Sequence, residues 1–251
     1  MKPNCIRYEM SESVARIVKN NPPQYGMTKE MLIEMKWAIE DAGKDSDISV
    51  VVISADGDGF QLGATVFGEM ENKDWNLSPL EWRDNSKFAY TLFRAIETLE
   101  KPVIRVAKTG AVGGGLENLH ACDFVTASEN AKFSQPEVNL GLIAGWGGTQ
   151  RLTRLVGWRK ARELLLTGVE IDGKEAEAIG IISNVMTSEM AKANTLDNEE
   201  NILVDDFDDL KDTAENFSND VKNTVDTIQG EIDTCLEYKT CLLYTSDAAD
   251  E

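Results

Sequence analysis

The sequence predicts an α/β fold. Three observations carry that prediction: a β-branched run at Val50-Val51-Val52-Ile53-Ser54, a second at Pro102-Val103-Ile104-Arg105-Val106-Ala107, and amphipathic helical spacing ahead of each. Such runs, bounded by Asp and Gly, read as strands buried on both faces. Strands alternating with helices favour layered α/β architecture over an all-helical bundle. With 251 residues and 42% hydrophobic content, the chain can bury one sizeable domain, or one domain with an appendage.

The elements follow in chain order. Ser13-Val14-Ala15-Arg16-Ile17-Val18 alternates like an edge or half-buried strand, and Asn20-Asn21-Pro22-Pro23 stops it. Thr28 can cap a helix whose apolar positions Met31, Leu32, Met35 and Ile39 recur at three- and four-residue spacing, ending near Gly43. The strand at 50–54 completes a strand–helix–strand unit. The unit recurs as an amphipathic segment from Phe88 to Leu99, the strand at 102–107, a glycine turn, a helix from Gly115 to about Ala121 and a short strand from Phe124 to Ala127.

Beyond Val185 glycine nearly vanishes and Asp, Asn, Glu and Thr dominate, which places a boundary near residue 186. The expected organisation is a core over residues 1–186 and an acidic segment over 187–251. Leu203, Phe207, Leu210, Phe217, Val221 and Val225 recur loosely at helical periods, so that segment reads as helical or partly disordered. Residues 241–251 have no periodicity, resemble translated adapter sequence, and are left out of fold reasoning.

The net charge of −19 is unevenly spread. From Thr195 onward there are 17 acidic residues against 3 lysines, which accounts for −14 and leaves −5 for residues 1–194. Acidity of this kind repels phosphate backbones and argues against a nucleic-acid partner. Four cysteines without CxxC spacing signal neither disulfides nor a metal site. With no apolar leader after Met1-Lys2 and no run of membrane-spanning length, the expectation is a cytoplasmic protein with no membrane partner.

Two glycine loops and two glutamates carry the chemistry. Thr109-Gly110-Ala111-Val112-Gly113-Gly114-Gly115-Leu116-Glu117 follows a strand and opens a helix. Glycines there let backbone approach a ligand, and the helix start directs free N–H groups at developing negative charge. Taken alone, the motif is equally a tight strand-to-helix turn. It lacks both the Gly-Lys-Ser/Thr ending and the Gly-x-Gly-x-x-Gly spacing of phosphate loops. Gly59-Phe60-Gln61-Leu62-Gly63-Ala64 emerges from the strand at 50–54 and can supply a second N–H, although loop glycines often do no more than punctuate. Glu117 and Glu137 are individually ordinary surface acids. If both face one partly dry pocket, repulsion and desolvation raise at least one pKa, so that one donates a proton while the other accepts. His120 is the lone histidine, without a triad motif, and reads as packing or surface; Cys122 reads as a small core hydrophobe. Trp75, Trp82, Trp146 and Trp158 read as packing or pocket-wall residues.

Residues 110–123 (GAVGGGLENLHACD) and 131–157 (AKFSQPEVNLGLIAGWGGTQRLTRLVG) resemble the enoyl-CoA hydratase/isomerase (crotonase) superfamily, closest in motif to its hydratases. The likeness runs over about residues 5–186, including Ala161–Gly168 and Ala176–Val185. It implies a spiral of β-β-α units forming two near-perpendicular sheets, and a homotrimer or dimer of trimers. It further implies an acyl-CoA substrate and a hydro-lyase adding water to a 2-enoyl-CoA, or the reverse, with coenzyme A belonging to the substrate and no separate cofactor. By position, Ala64 and Gly114 would form the oxyanion hole; Glu117 and Glu137 would handle water and protons; Leu62, Gly63, Gly113, Gly145 and Trp146 would line the substrate. Thr65 stands where the family commonly has Asp, and residues 187–251 match the family's C-terminal helices poorly. An isomerase or thioester hydrolase of the same fold, and a silent acyl-CoA binder, are the alternative readings.

Overall fold

A computed structural model of the chain describes residues 2–11, 13–20, 26–56, 61, 63 and 78–186, all within one compact unit. The expectations for residues 187–251 therefore lie outside the described residues.

The chain starts with a hairpin of β1 (Ile6–Ser11) and β2 (Val14–Lys19), followed by α1 (Lys29–Lys44) and β3 (Val50–Ala55). The Thr28 hydroxyl accepts the Met31 N–H at 3.1 Å and caps α1 as its position suggests, an interaction typically contributing about 1 kcal/mol. Helix α1 buries the stripe Met31, Leu32, Met35, Ala38, Ile39 and Ala42. Glu34 is buried beside the stripe, and its two oxygens accept the Asn4 and Cys5 N–H groups at 2.8 Å each, tying the segment just before β1 to α1. Glu30, Glu34 and Cys5 lie close enough together to hold a cation, but Glu34 is already committed to those two N–H groups.

Next come α2 (Pro79–Glu97), β4 (Val103–Ala107), β5 (Gly110–Val112), α3 (Gly114–Leu119), β6 (Phe124–Ser128) and β7 (Lys132–Ser134). A 3-10 turn at Pro136–Leu140 leads to α4 (Gly148–Thr167), β8 (Ile171–Asp172), α5 (Gly173–Ala178) and β9 (Asn184–Met186). The larger sheet has the order β1-β2-β3-β4-β6-β9 and is parallel except for β1; the smaller has the order β5-β7-β8. Helices α1 and α2 pack together, with Ala89, Leu92, Phe93 and Ile96 joining the α1 stripe and the β2–β4 residues Ile17, Ile53 and Val103 in one core. A second core around Phe133, Leu116, Leu152 and Leu164 joins the smaller sheet to α3 and α4.

Several expectations are corrected. The strand near 13–18 is interior, because β1 pairs with it and takes the edge. The amphipathic stretch at 88–99 is the second half of a 19-residue helix. The glycine turn after β4 contains the short strand β5, paired in parallel with β7, and the next helix spans 114–119. Helix α4 is kinked at Gly157, whose φ of 77° falls outside helical geometry.

Two cations are buried in the larger sheet. Lys19 at the end of β2 and Arg105 in β4 are 0% and 1% exposed, and Nε and Nη1 of Arg105 have no hydrogen-bond partner. Burial lowers both pKa values, to about 10 for Arg105, and the Arg105 charge adds to the lowering at Lys19. Among the described residues, no helix is long and apolar enough to cross a membrane.

Candidate active site

The two glycine loops meet. Gln61 bridges to Ala111, its N–H donating to the Gly110 carbonyl at 3.2 Å and its carbonyl accepting from Val112 at 3.1 Å, which brings the Gln61 and Gly63 stretch beside the start of α3. A Cβ on Gly63 would overlap the Gly114 nitrogen and stand 2.8 Å from Gly114 Cα. Glycine is required there by backbone-to-backbone approach. Gly113 enters α3 with φ 56°, a left-handed value, and its N–H donates to the Ser134 carbonyl at 3.0 Å. The first N–H groups of a helix have no intrahelical acceptor, so Gly114 presents its N–H at this junction. Leu62 and Ala64 lie outside the described residues.

Glu117 stands on the first turn of α3 and is 2% exposed. Its Oε1 accepts two backbone N–H bonds of 2.8 Å each, from Trp146 and Gly148. Burial is the main cause of its raised pKa, about 7 against an ordinary 4.5; the negative charge of Glu137 adds to the rise, and the two N–H groups and Arg151 oppose it. Glu137 arrives on the 3-10 turn, directly after β7. It is half-buried, its pKa is raised by desolvation, and its Oε2 has no hydrogen-bond partner. A Cβ on Gly113 would stand 3.2 Å from Glu137 Oε1, so the glycine at the α3 cap leaves room for that carboxyl.

Thus the β5–α3 junction gathers Gly63, Gly113, Gly114, Glu117 and Glu137. Trp146 belongs to the same place: a Cβ on Gly114 would meet its ring at 2.6 Å, and the ring packs edge-on against Phe93 of α2 at 6.2 Å between centroids. Gly145 is exposed, with its carbonyl accepting the Tyr90 hydroxyl at 2.8 Å. Trp158 is 65% exposed on α4, with the Arg162 guanidinium 5.5 Å above its ring. Trp75 and the Trp82 side chain lie outside the described residues. Cys122 is partly buried between the two cores, and its thiol donates to the Asn118 carbonyl at 3.7 Å.

Sequence reasoning missed the support behind Glu117. Arg151 of α4 donates through Nη1 to the Trp146 carbonyl at 2.9 Å, and through Nε and Nη2 to the two oxygens of Glu97 at 2.7 and 3.0 Å. The signal for Arg151 is its place one turn after Gly147-Gly148; nothing local announces Glu97, 54 residues earlier. Chemically, the junction sets a helix-start backbone N–H beside two carboxyls whose pKa values burial raises, to about 7 for Glu117.

A β5–α3 glycine junction backed by two desolvated carboxyls defines a class of protein, and comparison with known proteins identifies it. Residues 9–242 match the family model described as enoyl-CoA hydratase/isomerase, and the chain belongs to that family. It is 40% identical over 186 residues to a crotonyl-CoA hydratase of Syntrophomonas wolfei, covering 73% of this chain and 70% of that one. It is 37% identical over 188 residues to a short-chain-enoyl-CoA hydratase of Clostridium acetobutylicum, covering 74% and 70%. The crystal structure of an enoyl-CoA hydratase from Bacillus anthracis superimposes with a TM-score of 0.70 at 28% identity, covering 79% of this chain and 76% of that one. The fold is thus the mixed α/β, two-sheet crotonase architecture.

Proposed function

We propose that the chain is a hydro-lyase adding water across the double bond of a short-chain 2-enoyl-CoA, or removing it in reverse. The observation that carries this reading is the pairing of Glu117 and Glu137 at one glycine junction, with the Glu117 pKa raised to about 7. The hydratase names of the relatives from Syntrophomonas and Clostridium support the substrate class.

In this reading the Gly114 N–H, with that of Ala64, polarises the thioester carbonyl and stabilises the enolate that follows. The glutamate pair carries one proton between its two members. One carboxylate takes a proton from water as the oxygen bonds to the β-carbon; the π electrons move to the thioester oxygen; the protonated partner then delivers its proton to the α-carbon. Water, proton and electron pair are all accounted for by side chains and backbone, with coenzyme A entering as part of the substrate. In this reading Trp146, packed over Gly114, closes one wall of the thioester site, Gly63 and Gly113 shape its edges, and Leu62 and Gly145 are assigned to the same site by family resemblance alone. The assembly we propose is a homotrimer or a pair of trimers, which light scattering checks.

Purified protein given crotonyl-CoA should deplete the absorbance of the conjugated thioester and yield 3-hydroxybutyryl-CoA. Glu137→Gln should lower kcat by roughly 10²-fold or more. Wild-type activity in that variant would remove Glu137 from the mechanism, and an isomerised or hydrolysed product would reassign the reaction.

A further inference from the structure

The loop that holds Glu117 is itself held. Three successive peptide groups lie between Gly145 and Gly148. The first and third donate, through Trp146 N–H and Gly148 N–H, to Glu117 Oε1; the middle one accepts, through the Trp146 carbonyl, from Arg151 Nη1. The arginine is anchored on its far side by the two-point pair with Glu97 of α2, and its guanidinium lies 5.5 Å from the centre of the Phe93 ring. Its side chain is only 11% exposed. Gly147 makes the arrangement possible: its φ of 108° is left-handed, and a Cβ there would overlap Nη1 and stand 3.1 Å from Cζ of Arg151. One cation thus joins α2, the 145–148 loop and α4 immediately behind a catalytic carboxyl.

We infer that Arg151 is a positioning residue for the hydration chemistry: by gripping the Trp146 carbonyl it fixes the two N–H groups that aim Glu117 towards the bound thioester. The inference rests on the hydratase reading above. Arg151 has a second effect through charge, since it opposes the upward shift of the Glu117 pKa. Lysine would retain the charge without the planar fork that reaches one carbonyl and both oxygens of one carboxylate.

The test compares Arg151→Gln, Arg151→Lys and Glu97→Gln in the full-length chain. The readouts are kcat and KM with crotonyl-CoA from pH 5.5 to 9, and the Glu117 carboxyl titration followed by infrared difference spectroscopy against Glu117→Gln. For Arg151→Gln, kcat should fall by roughly 10²-fold, as expected for a displaced catalytic group, while KM changes less than about threefold. Loss of the cation makes proton release from Glu117 harder, so the pH–rate profile and the Glu117 titration should move upward together. Arg151→Lys should restore the titration while leaving kcat low. Glu97→Gln, which leaves the Trp146 contact in place, should give an intermediate kcat and cover the case in which Arg151→Gln fails to fold. Loss of melting temperature with unchanged kcat, profile and titration in the folded fraction would overturn the inference and leave Arg151 a purely structural tie. Wild-type protein that does not hydrate any enoyl-CoA, while Arg151→Gln still shifts the Glu117 titration, would overturn the hydratase reading and uphold the control of Glu117 by Arg151.

Discussion

Gly63 and Gly114 stand in backbone contact: a methyl group on Gly63 would overlap the Gly114 nitrogen and sit 2.8 Å from its Cα. Two loops whose contacting glycines are 51 residues apart in sequence therefore meet where each lacks a side chain, and the N–H proposed to hold the thioester oxygen lies at that contact.

Gly63→Ala is accordingly expected to push the loops apart and remove turnover. Neither obstructing atom belongs to a flexible side chain, so the relief must come from the backbone. A loss of kcat/KM of roughly 10²-fold or more is expected, comparable to removal of an oxyanion-hole donor. A variant with native kcat/KM on crotonyl-CoA would show that the contact has no part in catalysis.

Glu117 should cost stability in its charged form. Its folded pKa of about 7 exceeds the ordinary 4.5, so between those values the native chain binds more protons than the unfolded chain. Its contribution is favourable at low pH and is lost as pH rises through 7, amounting to about 3 kcal/mol at the shift given, with 1.36 kcal/mol per pH unit. Glu117→Gln keeps an oxygen for the Trp146 and Gly148 N–H groups and removes the charge. It should therefore melt at a higher temperature than wild type at pH 8, with the advantage fading by pH 5, while activity is lost. A lower melting temperature at pH 8 would mean that the two N–H bonds outweigh burial.

Arg105→Met should be neutral or stabilising. The guanidinium is fully buried near a second cation, Lys19, and two of its nitrogens lack partners, so the arginine forfeits solvation that its hydrogen bonds do not replace. An apolar side chain of similar length fills the volume without that penalty, and even buried ion pairs replaced by apolar residues are often neutral or stabilising by about 1–4 kcal/mol. Urea denaturation read by tryptophan fluorescence checks this; a loss above about 2 kcal/mol would identify Arg105 as paired in a way its neighbours do not reveal.

Local chemistry was legible in the sequence, and pairings across distance were not. Helix α1 could be read because a capping threonine and a three-to-four residue apolar period lie within a single stretch, and β3 because its β-branched residues run together. The glycine junction was legible because strand, glycines and helix are consecutive. The edge role of β1 was not, since only the antiparallel register with β2 assigns it. The strand holding Arg105 reads as buried on both faces, but that the guanidinium itself lies buried near Lys19 follows only from the pairing of β2, β3 and β4. Arg151 and Glu97 meet only once α2 and α4 are both in place. Glu137 reaches Gly113 through the pairing of β5 with β7, which no spacing along the chain encodes.

The chain contains one histidine, His120, and it is 8% exposed with neither ring nitrogen partnered. Burial, with help from the Arg151 charge, lowers its pKa to about 3. The native protein therefore keeps its sole imidazole neutral throughout the range in which an enzyme is normally assayed. A protonation event that governs rate near pH 7, the usual signature of histidine, is here not that of an imidazole, and the Glu117 carboxyl, with its pKa raised to about 7, is a group that can supply it.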